Sequence, residues 1–128
     1  MIVFLSARIA LLGLLLVGAS LVNGKEALAR CQIACDPNEY IFENSNRERL
    51  PEWMIQEFNS GSNEPGFRKL SLRLARNEIY ARRGYIFRDQ ELQKYFDAKN
   101  WYRPVSRDVK LSPIEQYNVD LIKRYEDR

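Results

Sequence analysis

The chain of 128 residues contains no histidine and only two cysteines. Without an imidazole it lacks the commonest general base, and with it the Ser-His and Cys-His nucleophile arrangements. Two cysteines cannot furnish four zinc ligands unless carboxylates join them, so no metal and no cofactor is expected. Glycine is scarce, six in all. Gly61 and Gly66 sit in a stretch without the lysine-serine ending of a phosphate-cradling loop. A carboxylate pair, as in sugar hydrolysis, is the simplest catalytic option left, with Glu78 and Glu115 as its candidates. Both have local structural tasks instead, so no catalytic residue is assigned.

Long apolar runs are confined to the beginning. Ile9 to Val22 reads IALLGLLLVGASLV, with Arg8 before it and Asn23, Gly24 and Lys25 after it. An apolar segment of roughly 7 to 15 residues behind a basic residue, closed by small residues, is the pattern of a secretory signal. Cleavage after Gly24 or after Ala19 suits that pattern, and residues 1–24 are assigned to the signal peptide. The alternative is an uncleaved membrane tether, since Ile2 to Val22 approaches the ~20 residues of a span; Arg8 inside it argues against this. An arginine directly before Cys31 speaks against lipid attachment there. Export places Cys31 and Cys35 in an oxidising compartment, where a disulfide is favoured over free thiols or a redox pair.

Charge is divided unevenly. Residues 25–66 carry four Lys/Arg against eight Asp/Glu, a net −4, whereas residues 67–128 carry fifteen against nine, a net +6. Such a basic module can meet an anionic envelope polymer or an acidic partner by long-range attraction. Alternatively the acidic extension packs on the basic domain of its own chain. Nucleic acid is not an expected partner outside the cytoplasm.

The extension, 25–66, gives weak signals. Pro51 at a first helical position opens a turn or two through Trp53, Met54 and Phe58. Asn59 to Gly66 is loop by composition and marks the boundary with the domain at 67–128. There the signals sharpen into three helices. In the first, Leu72, Ala75, Ile79 and Tyr80 share a face, Ser71 is the candidate N-cap, Arg82 and Arg83 point outward in the last turn, and Gly84 ends it. In the second, Asp89 caps a stripe of Leu92, Tyr95 and Phe96, with Asn100 as terminator. In the third, Ser112-Pro113-Ile114-Glu115 is a capping box, followed by the stripe Ile114, Tyr117, Leu121, Ile122 and Tyr125. Ten of the fifteen aromatic residues lie in 67–128, and the rings of Tyr80, Phe96 and Tyr117 are expected to meet in its core. The expected fold is therefore mainly α: a small three-helix domain with an irregular, partly helical extension behind a signal peptide.

Polar residues interrupt two of these stripes. Arg76 lies between Leu72 and Ile79, and Asn118 between Ile114 and Leu121. Buried, each needs a partner. Arg76, Asn77, Glu78, Glu115 and Asn118 are read as structural polar groups that pin helices or loops, with pocket lining as the other reading. Glu78 and Arg82 have i, i+4 helical spacing, which suits a local ion pair.

Residues 72–126 resemble the YARHG domain, a module of exported bacterial proteins. The resemblance runs through Leu74, Arg76-Asn77-Glu78-Ile79-Tyr80-Ala81-Arg82, Gly84-Tyr85, Phe87, Leu92, Tyr95-Phe96, Trp101-Tyr102 with Pro104, then Leu111, Glu115 and Asn118. Arg83 stands where the family motif has histidine, so a role that needs imidazole there is lost. Residues 1–71 lie outside the resemblance. It implies an extracytoplasmic location and assigns no catalytic residue. The expected function is a non-catalytic binding or accessory module, exported to the periplasm or beyond, for an envelope protein or an anionic glycan. Arg82, Arg83, Arg88 and Arg103 with Tyr85, Trp101 and Tyr102 are its candidate surface. A carboxylate-dependent cell-wall hydrolase and an inhibitor or immunity-type protein are the alternatives.

Overall fold

The computed structural model describes residues 33–61 and 65–128. The signal segment and Cys31, and with it the expected Cys31–Cys35 bridge, lie outside the described residues. Four helices follow in order: α1 (Glu52–Ser60), α2 (Pro65–Arg82), α3 (Gln90–Asp97) and α4 (Pro113–Glu126). No described helix is long and apolar enough to cross a membrane.

Local chemistry accounts for most helix ends. The Asp89 carboxylate accepts the backbone N–H of Glu91 and Leu92 and starts α3. Ser112 Oγ accepts the Glu115 N–H at 3.1 Å while Glu115 Oε2 accepts the Ser112 N–H at 2.8 Å, closing the capping box of α4. Three expectations shift. Pro51 is the N-cap of α1, one position before the helix, and provides no side-chain cap. Helix α2 begins at Pro65, so Ser71 is a buried residue inside it and not its cap. Proline suits a first helical position because its missing N–H has no intrahelical acceptor there. Helix α3 ends at Asp97 with Ala98 as C-cap, before Asn100.

Helix α2 is the central element. It packs most extensively on α4, then on α1, and it is the helix against which α3 rests. Its two sides feed two apolar clusters. Leu72, Ala75 and Ile79 join Val119, Leu121, Ile122 and Tyr125 of α4, Ile55 of α1, and Phe42 and Leu50 of the preceding segment. Leu74 and Ala81 join Phe87, Leu92, Phe96, Tyr102 and Ile33. A helix buried on both sides shows little amphipathic contrast, and Tyr80, half-buried, touches both clusters. The core therefore draws on both sides of residues 62–64: Ile33, Phe42, Leu50 and Ile55, all from the acidic extension, are built into it.

Rings radiate from Phe96, which is fully buried. Phe87 stacks on it at 5.0 Å, Tyr95 meets it edge-on at 4.9 Å, and Trp101 and Tyr102 lie at 6.2 Å. Tyr117 is not among them. It is 37 % exposed at the surface of α4, with the Arg49 guanidinium 4.6 Å from its ring centre. The buried face of α4 is instead Glu115, Asn118, Val119, Leu121, Ile122 and Tyr125. That face contains two polar residues, so counting apolar positions rotated the helix.

Between α2 and α3 the chain reverses at Gly84, whose φ is +79°. The Gly84 carbonyl accepts the Val105 N–H at 2.7 Å, and Ile86 donates to the Ser106 carbonyl at 2.9 Å, giving a short parallel bridge between Tyr85 and Ser106. A Cβ on Gly84 would lie 2.6 Å from the Arg103 carbonyl oxygen and 2.7 Å from Val105. Left-handed backbone with a Cβ costs about 1–2 kcal/mol before any clash. Gly84→Ala is therefore expected to destabilise the fold by more than about 2 kcal/mol and to lower Tm by roughly 10 °C, read by thermal unfolding.

Candidate functional site

The segment at 33–50, which forms no helix or strand, lies over α2 and α4. Its backbone groups are met by side chains. The Glu78 carboxylate accepts the Ile41 N–H at 2.8 Å and the Phe42 N–H at 3.3 Å. Arg82 donates to the Phe42 carbonyl at 3.3 Å, the Glu43 carbonyl at 2.9 Å and Asn46 Oδ1 at 3.1 Å. Asn118 Oδ1 accepts the Leu50 N–H at 2.8 Å, and its Nδ2 donates to the Ser45 and Glu48 carbonyls, both at 2.8 Å. Lys99 Nζ donates to the carbonyls of Ala34 and Asp36, and more weakly to Glu39. Tyr95 and Trp101 add bonds to the carbonyls of Ile33 and Glu39.

Thus Glu78 and Arg82 do not pair with each other. Both reach for the same segment, one accepting from its amides and the other donating to its carbonyls. The extension does pack on the domain, but the cations that hold it bind carbonyl oxygens and not its acidic side chains.

Burial of these groups shapes their protonation. Desolvation raises the pKa of Glu78, against the lowering effect of the two amide donors and of nearby Arg82 and Lys99. Desolvation lowers that of Lys99, opposed by Glu78, Glu39 and Asp36. Burial also pushes the Tyr95 and Tyr102 hydroxyls upward.

The remaining motif residues form links within the helical part. Arg76 makes a two-pronged contact with Glu126, at 2.6 and 3.1 Å, tying α2 to the end of α4. Asn77 Nδ2 donates to the Arg73 carbonyl one turn earlier. Arg83 Nε lies 3.0 Å from both oxygens of Glu115, whose side chain is only 1 % exposed. Glu115 thus closes the α4 cap and also anchors the end of α2.

The seven candidate binding residues do not form one surface. Tyr102 is buried, donating its hydroxyl to the Tyr85 carbonyl at 2.6 Å. Tyr85 packs half-buried beside Phe87. Arg103 is exposed but turns onto the carbonyls of Asn100 and Tyr102. Arg88 lines a separate pocket. Arg82, Arg83 and Trp101 do come together, with Tyr40, Asn46 and Glu115, around an open pocket of about 310 Å³. Tyr40 is layered there between the Arg82 guanidinium, 4.2 Å from its ring centre, and the Trp101 ring at 4.9 Å. Arg82 is less outward than expected, because the segment above it supplies its acceptors. Arg83 keeps 46 % side-chain exposure, and of its guanidinium nitrogens only Nε is hydrogen-bonded among the described residues.

Tyr40, Asn46 and Lys99 were not foreseen. Tyr40 and Asn46 lie in a stretch without periodicity, and a lysine in sequence reads as a solvated charge. Among the described residues, no group of three Cys, Asp or Glu is placed to hold a metal ion.

The model of the YARHG domain family matches residues 53–127, more than half of the chain. That match begins upstream of the resemblance at 72–126 and takes in nearly all of α1, as the shared core requires. No curated protein and no solved structure matches the chain.

Two measurements test the anchoring. Asn118→Ala strands one amide and two carbonyls, and unmade buried hydrogen bonds cost about 1–3 kcal/mol each. The expected loss is about 3 kcal/mol in denaturant unfolding, with faster hydrogen exchange at Leu50; unchanged exchange contradicts the contact. Glu78 carries a pKa raised on folding, so the unfolded chain releases its proton first as pH rises. Its contribution makes stability fall as pH rises from the ordinary glutamate range toward the raised value in the fold. Subtracting the stability-against-pH curve of Glu78→Gln from that of the native chain is expected to isolate this falling slope. A flat or rising difference refutes the raised pKa.

Proposed function

The chain belongs to the YARHG domain family, and from that premise we propose a small exported binding module of the cell envelope, without catalysis of its own. Its ligand is a partner protein or an anionic envelope polymer. Export rests on the apolar run at 9–22 with Arg8 before it and small residues after it. The reading is carried by the pocket that gathers Arg82, Arg83, Tyr40 and Trp101. Arginine beside partly exposed aromatic rings is a pairing suited to acidic sugars and to protein hot spots. Arg83 is the charge in it with donors left over.

A hydrolytic reading needs two carboxylates that reach substrate. Glu78 has no exposed surface and holds two backbone amides, while Glu115 is engaged by Ser112 and Arg83. Both carboxylates support the non-catalytic reading, since freeing either one would dismantle a helix cap or release the 33–50 segment.

The test uses two arms: co-sedimentation with insoluble envelope polymer, and affinity capture of soluble envelope proteins. Arg83→Gln keeps a donor near Glu115 but removes the charge, and Tyr40→Leu removes the layered ring. Circular dichroism checks that each variant is folded. Recovery in one arm is expected to fall several-fold in both variants. Equal recovery by the native chain and both variants discards this pocket as the binding site.

A further inference from the structure

Five of the ten arginines at 67–128 hold a carboxylate or a carbonyl. Arg73 pairs with Asp89, Arg76 with Glu126 and Arg83 with Glu115, while Arg82 and Arg103 hold carbonyls. A different situation exists on the far side of α3. There Arg88, Lys94 and Arg107 surround a pocket of about 420 Å³. All three are exposed, and none of their side chains forms a hydrogen bond or ion pair among the described residues. One carboxylate, Asp97, faces them, and the Gln93 amide already donates to it at 2.8 Å.

Two of the cations are placed by α3 and the third by the chain after the bridge at Ser106. Arg88 immediately precedes Asp89, the cap that starts α3, and Lys94 lies about one turn into that helix. Arg107 follows Ser106, which is held beside Tyr85 by the parallel bridge and whose hydroxyl accepts the Asp108 N–H at 3.0 Å. Beneath them, Gln93 Oε1 accepts the Phe87 N–H at 2.7 Å and its Nε2 donates to the Tyr102 hydroxyl at 3.2 Å. This ties the pocket floor to the core. Like charges gathered around one concavity repel each other unless an anion sits among them. Ordinary solvated cations have no need of a shared hollow with a fixed floor.

We infer that this hollow between α3 and the chain at 106–108 is a binding site for a phosphate monoester group. Three cationic side chains border the one hollow, enough to offer a donor to each of the three terminal oxygens of a phosphomonoester. A planar carboxylate offers two. The charge also fits: three cations against one carboxylate leave +2, and a phosphomonoester carries about −1.5 to −2 at neutral pH. Arginine forks add paired hydrogen bonds to such an oxyanion. The hollow exceeds one phosphate in size, which leaves room for the group that bears it. The site shares no lining residue with the pocket beside Tyr40 and Trp101, so each stands or falls separately.

The full chain, labelled with nitrogen-15, is titrated at constant ionic strength with inorganic phosphate, glucose 1-phosphate or acetate. Saturable shifts are expected at the amides of Phe87, Arg88, Arg107 and Asp108 with both phosphates and not with acetate. Stronger binding of the sugar phosphate points to a phosphorylated ligand; equal binding points to free phosphate as the natural occupant. Arg88→Gln/Arg107→Gln is expected to weaken binding roughly tenfold or more, given the strength of charge-assisted bonds. Lys123→Gln/Arg124→Gln, which removes the same charge from the exposed side of α4, is expected to leave it unchanged. Equal weakening by the two double variants, shifts that do not saturate, or the same response to acetate each overturn the site.

Discussion

The Glu78 carboxylate, shut away from water and bonded to the amides of Ile41 and Phe42, expresses the constraint on which the fold depends. A chain segment without helix or strand still carries an N–H and a C=O at nearly every residue, and burying them unmet is costly. Residues 33–50 have no regular structure of their own, yet Phe42 and Leu50 belong to the core. The helices solve this by lending side chains: Glu78, Arg82, Lys99 and Asn118 take up the segment's backbone. As a result, no buried side-chain nitrogen or oxygen is left unpaired among the described residues. Removing one of these anchors leaves groups on both sides unmet, which is why each counts for more than an exposed ion pair.

The polar run Arg76 to Gly84 is explained by this demand. Seen along α2, Arg76 turns toward the end of α4, Glu78 and Arg82 toward the segment above, and Arg83 toward the start of α4. Gly84 then allows the chain to pass within contact of Arg103 and Val105. One helix end thus fastens three other parts of the molecule. A polar run that dense looks like an active site in sequence because catalysis and backbone capture call on the same residue types.

What sequence disclosed, and what it withheld, follows from the range of the interactions. Asp89 and Ser112 act on amides two or three residues away, so α3 and α4 were readable from their caps. Gly84 was readable for the same reason. The register of α4 was not, because Asn118 takes its place inside through Leu50, Glu48 and Ser45, 68, 70 and 73 positions earlier. Apolar counting therefore favoured Tyr117, which lies at the surface. The start of α2 was hidden by Pro65 and Gly66, whose composition signals a loop. Lys99 gave no sign at all, since its acceptors are carbonyls of a segment that no local pattern places above it. The two pockets escaped for a similar reason: one needs Tyr40 from the extension, the other needs Arg107, which follows the residue bridged to Tyr85.

The exchange of histidine for Arg83 in the family motif can be judged on the same physical ground. In this chain the residue at 83 meets a carboxylate that is almost wholly buried and that also accepts the Ser112 amide. Glu115 therefore needs a donor on its other side, and a charged one offsets the desolvation it suffers. A histidine supplies that donor too, but its charge is lost over the physiological range. A guanidinium stays charged throughout and reaches Glu115 with Nε alone, which leaves its outer nitrogens for the pocket. Arginine at this position therefore fastens the end of α2 to the start of α4 and places a permanent positive charge beside Tyr40 and Trp101.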